Sequence, residues 1–271
     1  MTPLASIPVA LTIAGSDSGG GAGIQADLRT FAFHRVHGTS ALTCVTAQNT
    51  CGVDRVDALP PEAVIAQIQS IVTDIGVQAV KTGMLLNTDI IAAVADQIER
   101  WALPHLVVDP VMVSRAGVQL IDDAAIALCK TRLVPLAQLL TPNRYEAQIL
   151  SGLEIHNLED MREAARRILE LGCHAVLVKG GGLPGHLKGV DLWWDGQIEA
   201  VLETECVDTP HTHGTGCTLS AAIVANLAMS IPLKAAVESA KQYVTQALRH
   251  SLAIGRGQGP VGHFFPLLNS H

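Results

Sequence analysis

The chain has 271 residues, of which 48% are hydrophobic but only 3% aromatic, and a formal net charge of −7. This length and composition support a large aliphatic core. The acidic balance, with no lysine or arginine before Arg29, argues against nucleic-acid binding and against association with an anionic membrane.

The cysteines are scattered and none forms a CxxC pair, which favours a reduced intracellular protein over a zinc ribbon or a disulfide scaffold. The N-terminal stretch carries no positively charged leader, so we do not expect a signal peptide. The apolar stretch 219–233 contains Asn226 and Pro232 and is too short to span a bilayer. These features predict a cytoplasmic protein.

Short β-branched runs alternate with segments of helical period. The predicted strands are 9–15, 40–48, 78–84, 105–110, 138–141, 175–181, 191–194 and 198–203, the last two forming a hairpin around Asp195-Gly196. The predicted helices lie between Pro61 and Gly76, over 87–101, from 157 to Gly172, and in two segments after Gly216 that divide near Pro232. This alternation predicts one α/β domain over residues 1–271, with a mostly parallel sheet between two layers of helices.

Ligands of such sheets bind beyond the carboxyl ends of the strands. The predicted strand ends bring one set of residues to a common edge: 15–23, Gln48, Gly83-Met84, Asp109, Asn143, Lys179 and 214–217.

The first loop contains Gly21-x-Gly23-x-x-Ala26, the weaker form of the dinucleotide-binding fingerprint. That fingerprint also expects an acidic residue at the end of the second strand, where this chain has Gln48-Asn49. A nicotinamide-dependent oxidoreductase and a plain glycine turn therefore stay as alternatives for this loop. No P-loop motif occurs in the sequence.

The turn THGTGCT, residues 212–218, precedes an apolar helix. The backbone amides of Gly214, Thr215 and Gly216, together with the helix dipole, favour an anion such as a phosphoryl group. Cys217 in the first helical turn is expected to have a lowered pKa and so to accept a proton from an alcohol. The alternative is a tight turn with a cysteine buried as a small hydrophobe. The functional interpretation is phosphoryl transfer to an alcohol.

His211 and His213 lie near Cys217, but no further ligand follows at a recognisable spacing. These residues therefore do not predict a zinc site, and His213 is expected to shape the turn.

A series of blocks resembles, in order, those of the hydroxymethylpyrimidine/phosphomethylpyrimidine kinases of thiamine biosynthesis, which belong to the ribokinase-like superfamily. The blocks are GSDSGGGAGIQADL, TAQNTCGV, KTGM, VVDPVM, TPNRYEA, VKGG, THGTGCT and GRGQGPVGH. The resemblance implies a three-layer ribokinase-like fold, ATP as the phosphoryl donor, Mg²⁺ and, by analogy, a homodimer. It implies phosphorylation of 4-amino-5-hydroxymethyl-2-methylpyrimidine and then of its monophosphate.

The resemblance also implies roles for individual residues. Cys217 takes the position of the catalytic aspartate of related sugar kinases, and the backbone of 214–217 forms the anion hole. The pyrimidine contacts Gln48, in a pocket completed by Gly15, Asp27 and Met84. Mg²⁺ is held, largely through water, by Asp109 and Glu146, and the ATP phosphates lie along Asn143 and Lys179.

Each of these residues also has a purely structural explanation. Asn143 and Glu146 have the spacing of a helix capping box, which is compatible with the other role. Asp109 can end a strand at a turn, Lys179 can extend along the surface, and Met84 can fill the core. Gln48 can satisfy loop backbone.

Two positions depart from the family pattern. Arg256 stands where a lysine is expected, and Gly182 stands where a histidine is expected. These departures bear on substrate range and on the second phosphorylation. A pyridoxal-type vitamin kinase on the same scaffold and a non-catalytic ligand sensor remain alternatives.

Overall fold

The computed structural model describes residues 7–113, 119–181, 183 and 185–268. Its strands are β1 Val9–Asp17, β2 His37–Gln48, β3 Val53–Ala58, β4 Ala79–Thr82, β5 Leu106–Val108, β6 Leu139–Leu140, β7 Val176–Val178, β8 Asp191–Trp194 and β9 Glu199–Leu202. Its α-helices are α1 Gly23–Phe33, α2 Pro61–Asp74, α3 Thr88–Trp101, α4 Asp123–Leu128, α5 Arg144–Ser151, α6 Leu158–Leu169, α7 Thr215–Ala228, α8 Leu233–Arg249 and α9 Phe265–Leu268.

Within the described residues the strands form one sheet in the order β3-β2-β1-β4-β5-β6-β7-β8-β9. Neighbouring strands are parallel from β2 to β7, whereas β3, β8 and β9 pair antiparallel at the two edges. The predicted mostly parallel sheet is confirmed, and so is the hairpin of β8 and β9. Strand β3 was not predicted.

Two hydrophobic cores lie on the two faces of the sheet, because successive strand side chains point to opposite sides. Leu11 and Val108 face the core that includes α2, α3 and α6, whereas Ala10 and Val107 face the core that includes α1, α7 and α8. The predicted α/β fold with helices on both faces is therefore confirmed.

Helix α7 lies inside its layer rather than on the surface. All its residues from Thr218 to Ala228 are buried. A helix that is apolar on every side belongs in a core, which explains the unbroken apolar run in the sequence. Its first turn reaches the edge where the parallel strands end.

Within the described ranges, no helix is long and apolar enough to cross a membrane.

Candidate active site

The turn 212–217 reaches the carboxyl edge of the sheet through a glycine cap. Gly214 caps α7 with a φ of 80°, a left-handed conformation, and a side chain there would overlap the carbonyl oxygen of Gly21. The Thr215 amide, predicted as part of the anion hole, donates to the Thr212 carbonyl oxygen at 3.3 Å, whereas the amides of Gly216 and Cys217 belong to the first helical turn, whose N–H groups have no intrahelical acceptor. The geometry fits an anion site.

Cys217 is partly exposed at the start of α7. Burial raises the pKa of its thiol to about 11, against the opposing effect of the Lys81 ammonium. The carboxylates of Asp27 and Asp109 raise the pKa further. The predicted lowering of this pKa is therefore wrong, because desolvation and two nearby carboxylates outweigh the helix terminus. At neutral pH the thiol of the ligand-free protein is protonated.

One side of the turn carries charged groups. Lys179 Nζ lies 3.1 Å from Asp109 Oδ1, and Ser220 Oγ lies 3.1 Å from Asp109 Oδ2. A methyl group on Gly216 would lie 3.3 Å from Lys179 Nζ and 4.0 Å from Asp109 Oδ2. Asp109 and Lys179, predicted from strand ends, thus lie beside the turn 212–217, which we call the cradle.

Asn143 and Glu146 form the predicted capping box at the start of α5. The Asn143 side chain accepts a hydrogen bond from the Glu146 amide at 3.0 Å, and Glu146 Oε2 accepts one from the Asn143 amide at 2.8 Å. Burial raises the pKa of Glu146 to about 8; Lys179 opposes this rise and Asp109 adds to it. Glu146 is therefore part of the same charge cluster while serving as a cap.

The charge cluster of Asp109, Glu146 and Lys179 holds two buried carboxylates and one ammonium. Burial would raise the pKa of Asp109, but Lys179 and Lys81 hold it below its usual value. Among the described residues no group of three or more His, Cys, Asp or Glu is arranged to hold a metal ion. Two carboxylates suit a hydrated Mg²⁺ that takes further ligands from phosphate oxygens.

The other side of the turn carries neutral groups. Gly15 lies where β1 passes close to the pocket wall, and a Cβ there would come within 2.6 Å of Cys44 Sγ and 3.0 Å of Met84 Cε. Gln48, at the end of β2, lies 3.4 Å from His213 through its amide nitrogen. Gly15, Met84 and Gln48 are therefore brought to one side of the cradle.

Asp17 organises the glycine loop. Its carboxylate accepts hydrogen bonds from the amides of Gly19, Gly21 and Ala22 at 2.8 to 3.0 Å and contacts His213 Nε2 at 2.9 Å. Although burial would raise the pKa of Asp17, these hydrogen bonds hold it below its usual value. The loop amides that a dinucleotide pyrophosphate would need are occupied by this internal carboxylate, which argues against the oxidoreductase alternative.

Asp27 lies beneath the pocket rather than on its wall. The side chain is fully buried, accepts a hydrogen bond from Thr12 Oγ1 at 2.7 Å and forms an ion pair with Lys81 Nζ at 2.5 Å. The structure thus corrects the predicted pocket position. A buried carboxylate needs a partner, and Lys81 supplies it from a strand 54 positions along the chain.

Of the two departures from the family pattern, Arg256 is exposed on the segment 255–259, which packs on Thr50. Gly182 lies outside the described residues.

Sequence reasoning missed Asp17, Lys81 and Ser220. Asp17 follows a strand and precedes a run of glycines, a pattern in which a carboxylate often binds the amides of its own turn, so a signal existed. Lys81 and Ser220 gave no local signal, because their roles arise from contacts with α1 and with Asp109.

The chain was compared with known proteins. The phosphomethylpyrimidine kinase family matches residues 17–262. The hydroxymethylpyrimidine/phosphomethylpyrimidine kinase of Synechococcus elongatus is 62% identical over 97% of this chain and 99% of its own. An ADP complex of Bacillus subtilis pyridoxal kinase has a TM-score of 0.92 at 42% identity, covering 97% of this chain and 100% of its own. A Staphylococcus aureus pyridoxal kinase with AMP-PCP and pyridoxal has a TM-score of 0.88 at 36% identity, covering 96% and 94%.

These matches span nearly the whole chain. The ribokinase-like architecture implied by the sequence is thereby confirmed, and the chain belongs to the phosphomethylpyrimidine kinase family.

Proposed function

We propose that this protein transfers the γ-phosphoryl group of ATP to the hydroxymethyl oxygen of 4-amino-5-hydroxymethyl-2-methylpyrimidine, and then a second phosphoryl group to the monophosphate, for thiamine biosynthesis. The observation that carries the proposal is the position of the Gly214–Cys217 turn between the Asp109–Lys179 pair and Gln48. Membership of the kinase family and the Synechococcus relative support the choice of substrate.

The neutral side of the cradle holds the pyrimidine in this proposal. The Gln48 amide offers one donor and one acceptor direction, which match a ring nitrogen and the neighbouring exocyclic amine. Because Gly15 has no side chain, Cys44 and Met84 pack directly against its backbone to form this wall. Asp27 supports this wall from beneath.

The charged side holds the nucleotide phosphates. Lys179 and the cap residue Asn143 lie together at the ends of β7 and β6, where residues 143 and 179 form a parallel bridge. Asp109 and Glu146 would hold a hydrated Mg²⁺, which when bound neutralises charge on the phosphate oxygens. The backbone amides of the turn stabilise the transferring group as its charge develops.

Cys217 is the proposed proton acceptor. The bond from the γ-phosphorus to the bridging oxygen of ATP breaks, the bond from the alcohol oxygen to phosphorus forms, and the alcohol proton passes to the Cys217 thiolate. The thiolate is the minor form, because burial raises the pKa of this thiol to about 11. Positioning of the alcohol against the phosphorus therefore contributes more to the rate than the strength of the base.

A second candidate is phosphorylation of a pyridoxal-type alcohol. The close superposition on Bacillus subtilis pyridoxal kinase favours it, since the same scaffold carries that activity in another protein. Gln48 favours the aminopyrimidine, because its amide matches the two polar atoms on one edge of that ring.

A mass-spectrometric time course with the hydroxymethylpyrimidine, ATP and MgCl₂ tests the proposal. We expect the monophosphate first and the diphosphate later. Monophosphate alone would overturn the second transfer, and product only when pyridoxal replaces the pyrimidine would overturn the substrate. Omitting MgCl₂ and adding EDTA tests the proposed metal requirement.

We also propose that the protein is a cytoplasmic homodimer. The edge strand β3 leaves Val53 and Val56 exposed, at 51% and 42%, beside charged residues such as the Arg55–Asp57 pair, and such an open sheet edge is suited to contact with a second copy. Light scattering at several concentrations would give the mass of the assembly.

A further inference from the structure

A charged pair lies in the protein interior directly beneath the cradle. Lys81 on β4 and Asp27 on α1 are both fully buried and pair at 2.5 Å. The second Asp27 oxygen accepts a hydrogen bond from Thr12 Oγ1 on β1 at 2.7 Å. The carboxylate is thus occupied on both oxygens.

The ammonium has a second contact, and it leads to the active site. Lys81 Nζ donates to the backbone carbonyl oxygen of Cys217 at 3.4 Å. Ser220 Oγ lies 3.1 Å from the same carbonyl oxygen and 3.1 Å from Asp109 Oδ2. Lys81 therefore contacts the first turn of α7 from below, and Ser220 contacts it from the side of the charged cluster.

Stability alone does not account for a charged pair at this position. Apolar residues of similar volume usually replace a buried ion pair with little loss or a gain in stability. The other charged groups around Lys81 and Cys217 come from separate elements: Asp27 on α1, Asp109 after β5 and Lys179 after β7. The Lys81 ammonium favours the ionised form of the Cys217 thiol and also donates a hydrogen bond to the backbone of the same turn.

We propose that Lys81, held by Asp27, is a positioning residue for phosphoryl transfer: its ammonium fixes the Cys217 carbonyl and places a positive charge beneath the turn that receives the phosphoryl group. The inference rests on the proposed function for the identity of the reaction. Its first test is independent of turnover.

That test is the rate at which Cys217 is alkylated by iodoacetamide at pH 8.5, followed by peptide mass spectrometry. Lys81→Met keeps the length of the side chain but removes the charge, so fewer Cys217 thiols ionise and alkylation slows by about tenfold. Asp27→Asn keeps the ammonium and removes the opposing charge, so alkylation is as fast as in the wild type or faster. The exposed Cys51 reports reagent activity in every sample.

A purely structural pair would behave differently. Loosening the fold exposes the thiol, so both variants would then react faster. Lys241→Met is the matched control, since Lys241 is a second buried lysine, which pairs with Asp191 at 2.6 Å and donates to the Gly189 carbonyl oxygen rather than to the first turn of α7. It is expected to leave the Cys217 alkylation rate unchanged.

The second test is steady-state kinetics of the double variant Asp27→Asn/Lys81→Met, which carries no unpaired buried charge. We expect its Tm to approach that of the wild type while kcat stays about 100-fold lower, because the turn has lost its anchor. The KM values for ATP and for the pyrimidine are expected to change by less than about threefold, since both binding surfaces remain.

Equal or faster alkylation of Lys81→Met, equal slowing in both single variants, or wild-type kcat in the double variant would overturn the inference. If Lys81→Met does not fold, the Tm and kcat of the double variant decide it. The wild-type protein could phosphorylate no pyrimidine while alkylation of Cys217 slows in Lys81→Met and does not slow in Asp27→Asn. That result would overturn the proposed function and leave the charge placement standing.

Discussion

The two sides of the cradle hold their polar groups by different means. On the Gln48 side, Asp17 is fixed by three backbone amides and by His213, so its charge is balanced within its own loop. On the opposite side, Asp109 and Glu146 are both buried near the ammonium of Lys179, and Lys81 also acts on Asp109. The first side has a settled hydrogen-bond pattern, which suits recognition of a neutral ring. The second side is charged: Asp109 pairs with Lys179, and burial beside them raises the pKa of Glu146 to about 8, which suits phosphates and a cation.

Removing Cys217, where the two sides meet, is expected to have the largest effect. Cys217→Ala should lower kcat by about 10²–10⁴-fold, while ATP binding is retained because the amides of the turn remain. The wild-type kcat should also rise with pH from 7 to 9, since the pKa of the thiol is about 11 and the thiolate fraction grows over that range. Fixed-time assays would measure kcat for the variant and for the wild type at each pH, and nucleotide titration would measure ATP binding.

Cys206→Ala is the matched control, because Cys206 is an exposed free cysteine. A Cys217→Ala protein with near-normal kcat would reject the proton-acceptor role. A wild-type rate that is flat over this pH range would reject it as well.

On the charged side, Lys179→Met removes the ammonium that pairs with Asp109. Without the ammonium, the ATP phosphates lose a positive partner and face the unpaired Asp109 carboxylate, so the KM for ATP is expected to rise by about 10–100-fold, with a smaller change in the KM for the pyrimidine. Lys234→Met on the surface of α8 is the control, since Lys234 only pairs with Glu238 along the helix. Equal rises in both KM values would mean that the two sides are not separate.

Much of this architecture could be predicted from the sequence, because buried parallel strands and their carboxyl ends leave strong local patterns. Strand β3 could not, since all its residues from Val53 to Ala58 are exposed and no buried face marks it. Helix α1 was missed because it begins at Gly23 and its cap, Ala22, makes no side-chain hydrogen bond.

The candidate site divides in the same way. Asp109, Asn143 and Lys179 were found because each lies at or just beyond the carboxyl end of a predicted strand. The buried position of Asp27 was not predicted, because it depends on an ion pair with Lys81 from a distant strand. The pKa of Cys217 was predicted in the wrong direction, because burial depends on the whole fold whereas the helix terminus is visible locally.

On the neutral side, Gln48→Leu tests the role of the amide, because it keeps the approximate size of the side chain but removes the amide group. The ring loses a donor and an acceptor, so the KM for the pyrimidine is expected to rise about tenfold or more, with the KM for ATP unchanged. Parallel assays with pyridoxal show whether the loss is specific to the pyrimidine. An unchanged KM for the pyrimidine would remove Gln48 from the recognition of the substrate.

The smallest expected effect concerns Glu146 and appears in stability rather than in turnover. Its carboxyl has an ordinary pKa near 4.5, which the folded protein raises to about 8, chiefly through burial. Between these values the folded state binds more protons than the unfolded state, so this residue makes the protein less stable as the pH rises. Glu146→Gln cannot ionise and does not share this loss.

The Tm of Glu146→Gln minus that of the wild type is therefore expected to grow from pH 5 to pH 8, by about 2–4 °C for each kcal/mol involved. Glu159→Gln on the exposed face of α6 should show a constant difference over the same range. ATP with MgCl₂, compared with ATP and EDTA, should reduce the slope, because a nearby cation favours the ionised carboxyl. A difference that does not change with pH would mean that the folded protein does not raise the pKa of Glu146, so that this carboxyl would be ionised and the charged side would hold two carboxylates against Lys179.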